Sequence, residues 1–258
     1  MIATDRALAL VAIWAFLSIG ALVARRTHRP ASRVAWIALL VGILAARTGF
    51  VLANLSAFAV EPWSILAVWQ GGFAPWVGVA GAAMAVVVML GRQRASGYLL
   101  GALAGLSIAH AAASAATTPD PRPFPAGVTL KTMQGGVLSI DALRGRPFVL
   151  NLWATWCPPC RREMPMVIDV AGQSTTPILL VNQGEPAGRV NAFLSINDLA
   201  SDAIVIDEAQ HVAAAGGASA YPTTLFFDAD GNVVRRHAGE ISRAALTAAI
   251  RDLERTKS

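Results

Sequence analysis

Cys157 and Cys160 are the only two cysteines in this 258-residue chain, and they enclose two prolines in "TWCPPCRREMP". Thiols at this spacing can divide one reaction between them. The first attacks a foreign disulfide as a thiolate, and the second resolves the mixed disulfide and frees the client. Other chemistries fit less well. Zinc needs four ligands, and no second cysteine pair or histidine cluster is present. Covalent haem attachment wants histidine after the second cysteine, where Arg161 stands. A purely structural disulfide would close a very small loop, with little chain entropy to remove. Redox exchange is therefore expected, with the cysteine pair itself as the redox group and with no metal and no bound cofactor.

The flanking residues indicate how the pair is held. "PFVLNLWA" is an apolar run rich in β-branched and aromatic residues, the pattern of a buried strand. A helix is expected from the cysteines to about Val170. Pro158 then falls at the first helical position, where a missing N–H costs little. Cys157 lies at the helix mouth, where free amides and the helix dipole favour a reachable thiolate. Cys160 follows one turn later. Glu163 lies three residues beyond Cys160 on the same face, where a carboxylate can accept the resolving thiol's proton or raise its pKa by repulsion. A solvated helix charge is the competing reading of Glu163. Trp153 and Trp156 are expected to pack around the motif, with Trp156 shaping the surface that meets substrate.

Strands and helices alternate around this unit. "VTLKTM" and "VLSI" flank Gly135-Gly136 as a hairpin. "PILLVNQ" and "AIVI" read as strands separated by a short helix near Arg189 to Ile196. "TTLFFD" and "VVRRH" form a second hairpin through "ADGN", and "SRAALTAAIRDLER" closes as an amphipathic helix. The class is α/β, with helices packed on a sheet.

The first half has a different solvent. The chain is 55% hydrophobic and 14% charged, against roughly 25% charged in soluble domains. Five of its seven tryptophans precede residue 117. Four apolar helices are expected across the bilayer, at about 7–24, 34–56, 77–91 and 97–116. Arginines rather than a small-residue cleavage site follow the first run, which argues against a signal peptide there. The fourth run, with its Ala-rich end near Ala113 to Ala116, also has the form of an internal signal sequence. Basic loops at "RRTHRPASR" and "GRQR", and no Lys or Arg between Asn54 and Phe73, orient both termini outward. The net charge of +5 is assigned to this orientation and not to nucleic acid, which is not an expected partner. Residues 117–126 alternate proline with other residues and read as an extended spacer to a second domain at 127–258. Arg47 inside the second span should face the bundle interior, holding a lipid phosphate or pairing with Glu61 or local carbonyls.

Two resemblances follow from these residues. "WATWCPPCRREMP" with "AYPTTLFFDADGNVV" resembles the TlpA/ResA/CcmG group of membrane-tethered thioredoxin-like oxidoreductases, over about residues 124–258. This resemblance implies a thioredoxin-like fold for the second domain, which follows the all-α transmembrane domain of four helices read from hydropathy. It implies a cis peptide before Pro222, with the backbone of Tyr221 pairing with a substrate strand. Glu163 matches the family's Cys-x-x-Glu-x-Pro glutamate, which adjusts the protonation of the thiols, and Pro165 the proline that bends the helix. Asn151 occupies the position where thioredoxins bury an aspartate, so that proton-transfer group is absent. Tyr221 is larger than the residue often found before the cis proline. Pro158, Trp156 and Tyr221 are the expected substrate contacts.

The stretch from Leu44 to Leu90 is similar to the amino-terminal part of prolipoprotein diacylglyceryl transferases through Arg47, Gly49, Phe50, Trp69, Gly71 and Gly72. Trp76 stands at that family's histidine, and the later signature is missing, so transferase activity is not expected. The membrane half has no cysteine and cannot relay electrons by thiol exchange. Resemblance therefore implies a separate transmembrane donor of the DsbD or CcdA type, in a bacterial inner membrane with the redox domain in the periplasm. Clients are expected among exported proteins with disulfides, such as apocytochrome c or copper-site proteins. An oxidase or isomerase using the same cysteines, and a lipid-binding or lipid-modifying protein with an accessory redox domain, are the alternatives.

Overall fold

The structure is a computed structural model that describes residues 2–27, 30–117, 121–200 and 202–255. The chain divides into two compact units. One takes the residues up to Val60 and those from Gly72 into the fifth helix, and the other takes Glu61–Gly71 with the chain from Asp120 onward.

The first unit consists of α1 (Ile2–Thr27), α2 (Ala31–Ala53), the short α3 (Leu55–Val60), α4 (Pro75–Leu90) and α5 (Arg94–Thr117). Among the described residues, α1, α2 and α5 are long and apolar enough to cross a membrane. The expected third span is the shorter helix α4, with 16 residues. That amounts to about 24 Å of rise against a hydrocarbon core of about 30 Å. The expected second span, 34–56, ends earlier, where Asn54 closes α2. Large apolar side chains such as Leu10, Trp14, Leu44, Val88 and Ile108 point outward along the four long helices. This is the surface that hydrocarbon tolerates and water does not.

Small residues let α2 and α4 approach closely. A Cβ on Gly78 would lie 2.9 Å from both the Ala46 Cβ and the Gly42 carbonyl oxygen. Arg47, 9% exposed, donates from its NH1 to the Gly72 carbonyl at 2.8 Å and lies over the rings of Phe58 and Phe73. Of the partners expected for Arg47, a local carbonyl is thus in place. Gly72 has φ +84°, and any side chain there would collide with Phe50 and Arg47.

The second unit is built on an eight-stranded mixed sheet in the order β1-β8-β7-β4-β5-β6-β2-β3. Its strands are β1 (Arg122–Pro123), β2 (Thr129–Thr132), β3 (Val137–Ser139), β4 (Phe148–Trp153), β5 (Ile178–Gln183), β6 (Ile204–Asp207), β7 (Thr223–Phe227) and β8 (Asn232–Ala238). The helices are α6 (Pro158–Gln173), α7 (Ala187–Ile196), α8 (His211–Gly216) and α9 (Arg243–Arg255). The three strands β4, β5 and β6 run parallel, whereas β7 and β8 are antiparallel. Strand alternation sorts the core into two layers. Val149, Leu180 and Phe226 face Met164, Val167 and Leu246 of α6 and α9. Leu150, Leu152, Val181 and Leu225 face Leu130, Val212 and Ala213.

Both predicted hairpins and the closing helix form. Among the strands and α-helices of this unit, two were not expected. One is α8. The other replaces part of the spacer: Arg122 and Pro123 pair with Val233 and Asn232, and Phe124 is buried against Phe227. An apolar ring inside a proline-rich run has more to gain from the core than from water. The described remainder of the 117–126 run is thus tied to the sheet edge through residues 122–124, and residues 118–120 lie outside the described chain.

Glu61–Gly71 is part of this second unit. Glu61 Oε1 accepts from Arg243 Nε at 3.0 Å, and Gln70 donates to Glu240 Oε1 at 2.9 Å. Within this unit Glu61 is thus paired with Arg243.

Candidate active site

Strand β4 ends at Trp153, and a short corner, Ala154–Thr155–Trp156, delivers the chain to α6. Cys157 is the N-cap of α6, with extended backbone, and its Sγ accepts a hydrogen bond from the Cys160 amide at 3.3 Å. Pro158 takes the first helical position, as its missing N–H predicts. Cys157 and Cys160 are joined as a disulfide. The amide that caps Cys157 is a donor aimed at sulfur, and it will hold the thiolate once the disulfide opens. The expectation of a freely reachable sulfur needs correcting, because Cys157 is 3% exposed and Cys160 1%. Both cysteines are thus nearly buried, so a client must press against the surface to reach Cys157.

That surface carries Trp156, 64% exposed, in edge contact with Tyr221 at 6.0 Å between ring centroids. The two aromatics border an open groove of about 640 Å³ floored by Ala213, Ala214 and Ala218. The Tyr221–Pro222 peptide is cis, as the resemblance implied, and Pro222 is buried. Burial pushes the Tyr221 phenol above its ordinary range, with the negative charge of Asp207 adding to this.

Glu163 is not a solvated charge. It lies on the inner face of α6, 4% exposed, and its oxygens accept from Asn151 Nδ2 at 2.9 Å and the Ile241 amide at 2.8 Å. Asn151 also donates to Thr224 Oγ1 at 3.1 Å. Burial is the dominant influence on Glu163 and carries its pKa from 4.5 up to about 7. The bonds from Asn151 and Ile241 oppose the rise, the negative charge of Glu240 adds to it, and Arg162 opposes it. A buried, hydrogen-bonded carboxyl is therefore present on the inner face of the cysteine helix. It arrives from α6, with Asn151 as its support from the strand. The helix itself continues through Pro165 to Gln173.

Sequence reading missed Glu185. It follows β5 and is buried, and its carboxylate accepts from the Thr155 amide at 2.7 Å, from Thr155 Oγ1 at 2.5 Å and from Asn182 Nδ2 at 2.8 Å. The available signal was the parallel pairing of β4 with β5, which sets Trp153 opposite Asn182 and brings the two strand ends to one place. Among the described residues, no cluster of His, Cys, Asp or Glu is suited to hold a metal ion.

Comparison with known proteins agrees with this division of the chain. Residues 122–236 match the AhpC/TSA family, and residues 6–115 match the prolipoprotein diacylglyceryl transferase family. The thiol:disulfide interchange protein DsbE homolog of Paracoccus denitrificans is 34% identical over 118 residues, covering 45% of this chain and 65% of that protein. The chain thus spans slightly less than two thirds of that relative's length. A solved structure of dsbF from MTB, in mixed oxidized and reduced forms, is 29% identical, covers 49% of this chain and 94% of that one, and gives a TM-score of 0.44. The thiol-disulfide oxidoreductase ResA of Geobacillus thermodenitrificans is 33% identical over 136 residues, covering 52% of this chain and 74% of that protein. With the cysteine pair at the mouth of α6 and this extent of likeness, the chain belongs to the thiol-disulfide oxidoreductase family of ResA.

Proposed function

We propose that the protein is a membrane-anchored thiol–disulfide oxidoreductase whose redox unit faces the periplasm and reduces disulfides of exported proteins. The observation that carries this reading is Cys157 capping α6 while bonded to Cys160. In the reduced protein, the Cys157 thiolate attacks one sulfur of the client disulfide, forming a mixed disulfide and expelling the client's other sulfur as a thiolate. Cys160, after giving up its proton, attacks Cys157 and releases the client as a dithiol. The client gains two electrons and two protons, and the Cys157–Cys160 disulfide re-forms. Glu163, poised near neutrality, suits the role of acceptor for the Cys160 proton. Pro222, Tyr221, Trp156 and Pro158 supply the contact surface. Apocytochromes and copper-site proteins are the client classes that the family likeness favours. Recharging requires a transmembrane dithiol donor of the DsbD or CcdA type, since the membrane half has no thiol.

Periplasmic placement is supported by loop charge. Glu61–Gly71, free of Lys and Arg, belongs to the same compact unit as the redox domain, while Arg25, Arg26, Arg92 and Arg94 fall in or beside the connections after α1 and α4. The test is a Cys160→Ser form of the full chain in membranes, where Cys157 should accumulate as mixed disulfides with exported proteins. A yield no greater than that of the Cys157→Ser/Cys160→Ser control would refute the reading. Capture of clients that become oxidised by the wild-type protein would favour the oxidase alternative.

A further inference from the structure

We infer that Glu185 is a positioning residue that biases the cysteine pair towards giving electrons, by fixing a negative charge against the corner that carries Cys157. The inference deepens the reductase reading and rests on it.

Strand pairing dictates the placement. In the β4–β5 register Trp153 lies opposite Asn182, so the residues that leave the two strands meet. Thr155 leaves β4 and Glu185 leaves β5 through Gly184, whose φ of +76° turns the chain back. Both Glu185 oxygens are then committed to Thr155, through its amide and its hydroxyl, with Asn182 as a third donor. The carboxylate is 3% exposed, so water screens it poorly. Cys157 stands two residues beyond Thr155, with its amide turned back onto the Ala154 carbonyl at 3.2 Å. The corner is short and braced, which keeps the charge at a constant position relative to sulfur.

The other charged groups around the corner are on separate elements. Arg161 and Glu163 belong to α6 itself, Asp207 ends β6, and Arg189 of α7 reaches Glu185 Oε1 at 3.8 Å from an exposed position. The mouth of α6 favours the Cys157 thiolate. Glu185, held on Thr155 two residues before Cys157, opposes it. Destabilising the thiolate destabilises the reduced pair, the reverse of the strongly oxidising exchangers in which the reduced form is stabilised. A client-reducing site is thereby obtained from a motif whose helix alone would draw it towards oxidation.

The test uses the reduced full chain in detergent, with Glu163→Gln in every sample so that this carboxyl adds nothing to the thiol titration. Rates of iodoacetamide alkylation at Cys157 are followed from pH 5 to 10. Glu185→Gln keeps the side-chain shape and removes the charge, and should lower the midpoint by about one pH unit. At pH 9 its equilibrium with a reference dithiol should move about tenfold towards the reduced protein. Thr155→Val removes one bond but no charge and should leave the midpoint in place, which a purely structural role for the clamp does not predict. Arg189→Ala, at an exposed residue, should raise the midpoint by a few tenths of a unit even if Glu185→Gln fails to fold. An unchanged or raised midpoint in Glu185→Gln, or no movement in Arg189→Ala, overturns the inference. Failure of Cys160→Ser to trap clients, with these shifts intact, would instead refute the reductase reading alone.

Discussion

Asn151 and Glu163 form a buried pair, strand to helix, in which the Asn151 amide donates to Glu163 Oε1 at 2.9 Å. One oxygen of the carboxyl is held by the central strand and the other by the Ile241 amide. The acid is thus fixed beneath the helix that carries both cysteines, and burial keeps it near its midpoint at neutral pH.

Glu163→Gln therefore separates proton transfer from nucleophilicity. General acid–base groups contribute about 10²–10⁴-fold, and the exchange rate of the variant at pH 7 should fall about 10²-fold with both cysteines intact. Reduction of a fluorescent peptide disulfide from pH 5 to 9 should show in the wild type an inflection near 7 that the variant lacks, leaving in the variant only the inflection of the Cys157 thiol. A matching inflection in both would remove Glu163 from the proton path.

The same burial predicts a pH-dependent stability. Unfolded Glu163 releases its proton near pH 4.5, while folded Glu163 retains it to about 7. The stabilisation from this group is complete below 4.5 and is lost as pH rises through 7, amounting to about 3 kcal/mol. Urea unfolding at pH 5 and pH 8 should show that loss in the wild type and lack it in Glu163→Gln.

These properties differ in how well the sequence announces them. The cysteine spacing, Pro158 and the apolar run before them are local signals, so the strand–corner–helix unit is legible directly. The hairpins and α9 carry their own periodicity and turn residues. Glu163 was visible as a residue on the right helix face, but its burial depends on Asn151 of β4 and on the turn at Ile241, both distant in sequence. Glu185 offers no local cue, since a glutamate after a strand reads as surface until the β4–β5 pairing brings Thr155 to it. Phe124 misled in the opposite sense, because its prolines described a spacer while its ring belonged to the core. The long apolar helices of the first unit were legible from hydropathy. So was α4, expected at 77–91 and found at Pro75–Leu90.

In the first unit, the approach of α2 and α4 depends on Gly78. Leucine at that position would place Cβ 2.9 Å from Ala46 Cβ and from the Gly42 carbonyl oxygen, where neither backbone can retreat without parting the helices. Gly78→Leu should lower the thermal stability of the membrane unit in detergent while leaving the alkylation rate of Cys157 unchanged. Equal melting temperatures for the two proteins would show that the close approach is dispensable.

The side of the membrane on which the redox unit works is open to a direct measurement. Leu66 belongs to the segment gathered with the redox domain, and Gln93 lies in the basic turn between α4 and α5. If α4 crosses the bilayer despite its 16 residues, these two positions face opposite compartments. Single cysteines at Leu66 and Gln93, each in a Cys157→Ser/Cys160→Ser background, should then differ in labelling by a membrane-impermeant maleimide. Leu66→Cys should label in intact spheroplasts, and Gln93→Cys only after the membrane is opened. Labelling of both without lysis would mean that α4 does not cross. Labelling of Gln93→Cys alone would place the cysteine pair in the cytoplasm, where the surrounding reductants would leave an anchored reductase without a task.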